Sequence, residues 1–177
     1  MALREGEIGY VSLLSGYIVA LQINDTKSEI LWELKISDIA LKLLYSDKLL
    51  YAALASGVLT VFENVNKIIP NAIEMLNLPI STAPITEMSI VGDTLWLATA
   101  CKVTIICSKS LTILRKIYVA SSVSVHGSSL FEKIRCMYQS SYGVWIVTAN
   151  SQVLQLWKDD ECILIIDLGK EQYNKFV

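Results

Sequence analysis

Between Pro84 and Val119 the apolar residues fall in four short runs: PITEMSIV (84–91), TLWLATA (94–100), KVTIIC (102–107) and TILRKIYV (112–119). β-branched and aromatic side chains dominate them, and Gly92-Asp93 and Ser108-Lys109-Ser110 supply turn chemistry between them. Runs of this length and composition predict β-strands, and the tightness of the turns predicts antiparallel pairing. The second run is apolar on both alternating faces, the mark of a strand covered on each side. Helical spacing is absent from these segments, apart from a short turn expected near Asn71 to Leu76.

The same beat returns downstream. Ile85 and Ile134, Met88 and Met137, Trp96 and Trp145, Thr99 and Thr148, and Ala100 and Ala149 are each 49 residues apart. One extra turn residue then makes the spacing 50, so that Val103 matches Val153, Ile106 matches Leu156, and Leu114 matches Leu164. The strands of this copy read KIRCMYQ, GVWIVTA, QVLQLW and CILIIDL. An upstream copy sets Ile39 and Asp47 46 residues before Ile85 and Asp93, with Leu50 in the place of Trp96. A fainter first copy, GYVSLLSGYIVALQ, matches Ser15-Gly16 to Ser56-Gly57 and has room only for its later strands.

Four short antiparallel strands repeated every 45 to 50 residues are the signature of a β-propeller blade. The expected fold is therefore all-β: a partial, WD40-like β-propeller of about three and a half four-stranded antiparallel blades. The divisions are a partial blade over 1–36, blades over 37–78, 79–119 and 120–168, and a tail over 169–177. A large aromatic at one fixed place per blade fills the space between sheets, so Trp96 and Trp145 are expected to pack rather than to stack on a ligand. Three and a half blades leave an inner face uncovered and strand edges unpaired. The chain is accordingly expected to be a fragment or half of an assembly, and to be poorly soluble or self-associating when alone.

Composition narrows the function. Of 177 residues 53% are apolar and 18% charged, which fits a chain that buries much of its length. The net charge of −2 carries no basic stripe, which excludes nucleic acid as a partner; Lys109 and Arg115-Lys116 read as a solvated face. The N-terminus MALREGEIG lacks the apolar core of a signal peptide. The uncharged run from Cys136 to Trp157 holds too many Gln, Ser and Asn residues to cross a bilayer. A cytoplasmic location is expected.

The chemistry of sites is sparse. Cys101, Cys107, Cys136 and Cys162 form no Cys-x-x-Cys pair, and with the single His126 they offer no zinc set; buried free thiols are expected. Asn24-Asp25-Thr26 fits a glycosylation pattern that a cytoplasmic chain would not use. One histidine cannot supply acid–base or triad chemistry, and Asp159-Asp160-Glu161 reads as a solvated hairpin tip. No catalytic residue, cofactor or metal is expected, and no partner-binding residue is singled out. ASSVSVHGSSLFEK (Ala120 to Lys133) reads as a long surface connection whose serines could accept phosphate.

LQLWKDDECILIIDL (154–168) resembles the end of a WD repeat, but Lys158 stands where the aspartate belongs and no Gly-His dipeptide occurs. The Asp-His-Ser-Trp network of regular WD repeats cannot be assembled from these residues. A wider resemblance covers Asp38 to Leu168. On Pro84-Ile85-Thr86, Val91-Gly92, Leu95-Trp96, Tyr118-Val119, Cys136-Met137, Ser140-Ser141 and Gly143-Val144-Trp145, the chain is similar to the C-terminal propeller of Rho guanine nucleotide exchange factors of the factor-10 group. Related propellers occur in JNK-interacting scaffold proteins and leucine-rich-repeat kinases, and Leu49 to Glu63 suits any of the three. The resemblance implies a non-catalytic, protein-interaction portion of a small-GTPase signalling protein, whose exchange chemistry would sit in a Dbl-homology domain this chain does not contain. Its partners would be the rest of its own propeller and signalling proteins. A propeller enzyme or lectin is the remaining alternative, against which stands the lack of a repeated polar set for a central channel.

Overall fold

The computed structural model describes residues 2–3, 8–23, 27–65, 73–123, 129–149 and 153–168. The described residues form strands and turns only. Asn24-Asp25-Thr26, His126 and the tail 169–177 lie outside them.

Sixteen of the strands make four four-stranded antiparallel sheets, each built from strands in chain order. The first comprises β1 (Ala2–Leu3), β2 (Ile8–Leu13), β3 (Tyr17–Ile23) and β4 (Ser28–Lys35). The second comprises β5 (Ala40–Ser46), β6 (Leu49–Leu54), β7 (Val58–Glu63) and β8 (Glu74–Pro79). The third runs through β9 (Ile85–Val91), β10 (Thr94–Thr99), β11 (Lys102–Cys107) and β12 (Ile113–Tyr118). After a separate hairpin of β13 (Ala120–Val123) and β14 (Ser129–Phe131), the fourth uses β15 (Ile134–Ser140), β16 (Gly143–Thr148), β17 (Val153–Lys158) and β18 (Glu161–Asp167). The chain divides into two compact units, Met1–Met88 and Ser89–Val177, with the division inside β9.

In the first unit, Tyr10, Ile18, Ala20 and Trp32 of the first sheet share a core with Leu43, Leu50, Ala52 and Phe62 of the second. The Tyr10 ring stacks on Tyr45 at 5.5 Å, and Trp32 Nε1 donates to the carbonyl of Val65 at 3.2 Å. The turns before β3 and β7 share one construction. Gly16 (φ +78°) donates its N–H to the Leu13 carbonyl, and Gly57 (φ +82°) donates to that of Leu54. The Gly16 carbonyl then accepts from Ile36 N, and that of Gly57 from Ile80 N and Ser81 N. Left-handed φ values at these places favour glycine, which is why Ser-Gly recurs there.

In the second unit, Trp96, Ala98, Val103 and Ile105 of the third sheet pack on Met137, Val144, Ile146 and Trp157 of the fourth. Here the β10–β11 turn needs only Ala100 and Cys101, because Ala100 itself takes φ +52° and Thr99 pairs with Lys102. Ala100 O accepts from Ile134 N at 2.8 Å, linking the turn to the start of β15.

Several expectations change. The partial opening blade has a first strand after all, but it is the two-residue β1 pairing Ala2 with Tyr10 and Leu3 with Gly9. The helical turn expected near 71–76 is the start of β8 from residue 74 onward, because Met75 and Leu76 pair with Phe62 and Val61. Ala120 to Lys133 is not a plain connection, since β13 and β14 pair across it. The thiols are free, yet none is buried: Cys136 is exposed and the other three are half-buried.

Register also corrects the repeat. The third residue of each six-residue second strand is Tyr10, Tyr51, Trp96 and Trp145. Tyr51, not Leu50, therefore takes the place of Trp96, and Leu50 lies on the opposite face, in the core with Tyr10. Trp96 pairs with Ile105 and Trp145 with Leu156, so beyond the turn the spacing is 51 rather than 50. The aromatic beat is complete in all four sheets.

Candidate partner-binding pocket

Where the third and fourth sheets meet in the second unit, their turns leave a cavity of about 390 Å³. Its apolar floor comes from strand residues whose side chains face between the sheets: Val91, Trp96, Ile105, Val144 and Trp157. Its rim comes from turns and strand ends, namely Thr94, Leu114, Arg115, Ser140 to Tyr142, Lys158 and Asp159. A space of this size suits a bulky side chain or a small ligand.

The polar groups of the floor are already satisfied by their own strands. Trp96 Nε1 donates to Thr94 Oγ1 at 3.1 Å, and Thr94 Oγ1 donates in turn to the Val91 carbonyl at 2.7 Å. Trp157 Nε1 donates to Gln155 Oε1 at 2.9 Å, and Gln155 Nε2 donates to the Ala120 carbonyl. Both indoles thus offer carbon rather than N–H to an occupant, and the floor recognises apolar groups by contact. The Ser140 hydroxyl donates to the Gly143 carbonyl and accepts from Tyr142 N, which fixes the turn at the rim. Gly143 is required there: at φ +143°, a Cβ would stand 2.3 Å from the Trp157 carbonyl oxygen.

Charges stand only at the mouth. Arg115 forms an ion pair with Asp160, both about half exposed. Lys109 likewise pairs with Asp93 at 2.9 Å on the surface. Such pairs contribute little to stability, but they set the charge pattern a partner meets. Leu114 and Tyr142 are exposed beside them, extending the apolar floor outwards.

Of the residues the sequence drew attention to, the structure places Trp96, Trp157, Lys158 and Asp159 around one pocket. Trp145 does not line it, because its side chain leaves the opposite face of the fourth sheet. In the sequence Leu114 reads only as a repeat position, Arg115 only as part of a solvated face and Tyr142 as neither, since their places at the rim depend on the packing of two sheets. Among the described residues, no group of three or more His, Cys, Asp or Glu side chains could hold a metal ion. No helix among them is long and apolar enough to cross a membrane.

Four four-stranded antiparallel sheets with an aromatic at one register place are those of a partial β-propeller. The sequence pattern of the WD40 repeated domain matches residues 11–162, and the chain belongs to that family. WD40 propellers are generally non-catalytic scaffolds. Among solved structures, the chain is similar to the computationally designed Ika4 protein, with 12% identity, 88% of this chain and 87% of that chain covered, and a TM-score of 0.67. It is similar also to a chain of the mitotic checkpoint complex (10% identity, 94% and 52% covered, TM-score 0.71) and to Sqt1 of Saccharomyces cerevisiae (12%, 88% and 43%, 0.67). The chain spans about half the length of these last two. At such identities the likeness is one of fold. No curated protein sequence matches the chain.

Proposed function

We propose that this chain is the non-catalytic interaction and regulatory propeller portion of a Rho guanine nucleotide exchange factor in cytoplasmic small-GTPase signalling. The observation that carries the reading is the WD40 match over residues 11–162, which supports an interaction module. The exchange-factor context rests on the residue pattern from Pro84 to Trp145 described above. In this reading the pocket lined by Trp96 and Trp157 takes an apolar side chain of a partner protein, while Arg115, Lys158 and Asp159 at the mouth tune which neighbours it tolerates.

The test uses the longer protein that contains this segment, with fluorescent nucleotide release from a Rho-family GTPase as readout. Deleting residues 1–177 is expected to leave catalysed release intact while changing its regulation or localisation. A parent without a Dbl-homology domain, or one whose exchange chemistry requires side chains within the segment, overturns the reading.

A further inference from the structure

Strand pairing lets the two sheet pairs be matched place by place. In the first sheet one row of paired residues runs Tyr10, Ala20, Trp32; in the third it runs Trp96, Ile105, Arg115. A register shift directly follows Ala20 in one and Ile105 in the other, so the rows share a bulge as well. The facing sheets match too. Leu50 pairs with Phe62 in the second, and Val144 with Trp157 in the fourth. Beyond the ends of β7 and β17, Asn64 and Asp159 take φ +58° and +56°, which puts Asp160 in the place of Val65. The rows of the second unit are those that line the pocket.

The equivalent places are filled differently. In the first unit Trp32 is 4% exposed and shares a core with Tyr10, Leu50, Phe62 and Val65. Its ring stands 5.9 Å from that of Tyr10, tilted by 40°, and its Nε1 donates to the Val65 carbonyl. Tyr45, paired with Leu50, adds a second ring against Tyr10. In the second unit Arg115 holds the place of Trp32, and Gln139, paired with Val144, holds that of Tyr45. Burying a guanidinium is costly, and Arg115 stands half exposed on Asp160 instead. The cavity beside Trp96 and Trp157 thus corresponds to the space that Trp32 and Tyr45 fill in the first unit.

We propose that this pocket takes a tryptophan side chain presented by a partner protein, seated against Trp96 as Trp32 is against Tyr10. Charge complementarity favours the same occupant. The Arg115 guanidinium is placed to lie over the electron-rich face of an inserted ring. Asp160, in the place of Val65, supplies an acceptor for the indole N–H. An aliphatic side chain answers neither group and leaves part of the floor of indole carbon without contacts. The inference rests on reading the pocket as a partner-binding site and adds which side chain it selects; the exchange-factor context does not enter.

The test titrates the isotope-labelled chain with N-acetyl-L-tryptophanamide and, in parallel, with N-acetyl-L-leucinamide, following the indole N–H signals by NMR. The tryptophan probe is expected to shift Trp96 and Trp157, to leave Trp32 and Trp145 in place, and to bind about fivefold more tightly than the leucine probe. Equal or weaker binding of the tryptophan probe overturns the inference and keeps the pocket as an apolar site. No shift with either probe overturns both, and shifts of equal size at Trp32 and Trp145 overturn the inference. A second measurement supplies the ring from within the chain. Arg115→Trp is expected to abolish binding of the tryptophan probe and to raise the urea midpoint above those of wild type and Arg115→Leu. An Arg115→Trp chain that binds the probe as wild type does, or is no more stable than Arg115→Leu, also overturns it.

Discussion

A Cβ built on Gly57 would stand 2.1 Å from the carbonyl oxygen of Ser81 and 2.6 Å from that of Ala83. The Gly57 carbonyl itself accepts from Ile80 N and Ser81 N, so the turn before β7 and the exit from β8 are held against each other. Gly57→Ala must therefore both adopt a left-handed φ and push two backbone segments apart. A loss of roughly 3 kcal/mol or more is expected in urea unfolding. Gly92→Ala is the matched control: its φ is +56°, but nothing lies within 4 Å of the added carbon. It should cost only the conformational penalty of about 1–2 kcal/mol. Equal losses at the two positions would show that close approach adds nothing at Gly57.

Trp96 and Trp145 hold the same place in their strands, yet the first is 2% exposed and the second half-buried. Trp96→Ala is expected to remove about 3–5 kcal/mol of stability, the range for deleting a large buried aromatic. Trp145→Ala should cost about half as much, because part of its ring already lies in water. Chemical denaturation measures both. A larger loss at Trp145 than at Trp96 contradicts the burial seen here.

These pairs also show what could be read from the chain before its structure. The spacing of Trp96 and Trp145, the Ser-Gly turns and the strand-length apolar runs gave away four strands per repeat, because each depends on neighbours within a few residues. Tyr51 was hidden by Leu50 beside it: both are apolar enough, and only the pairing of Tyr51 with Val61 shows which face each takes. The stub β1 escaped because two residues carry no period. The pocket escaped for a different reason. Leu114, Arg115 and Tyr142 sit 25 or more residues from their neighbours across it, and no local pattern records how two sheets pack.

Asp38 gives a pH dependence of definite sign. The backbone N–H of Ile39, and less strongly Ser56, hydrogen-bond its carboxylate and hold its pKa below the ordinary 3.8; Ser56 N donates to Oδ2 at 2.6 Å. The folded state thus prefers the ionised form. The resulting stability is fully present above about pH 4 and is lost as the pH falls through the depressed folded value. Asp38→Asn should remove this contribution, so the difference in denaturation midpoint between wild type and variant should shrink between pH 5 and pH 3. A constant difference over that range would show that Asp38 does not titrate with folding.

The four thiols should differ in reactivity although none is in a disulfide. The Cys107 thiol is pulled below its ordinary value, first by the Ser110 side chain and then by the backbone N–H groups of Ser110 and Lys109. Burial pushes that of Cys162 up. The thiolate is the nucleophile, so at pH 7.5 Cys107 presents the larger reactive fraction. Timed alkylation with iodoacetamide, read by peptide mass spectrometry, should label Cys107 before Cys162. Ser110→Ala should slow Cys107 and leave Cys162 unchanged, since Ser110 is the largest single cause at the first site and is not among those acting on the second. Should Cys162 react first, or Ser110→Ala leave Cys107 unaltered, hydrogen bonding at the β11–β12 turn does not control this thiol.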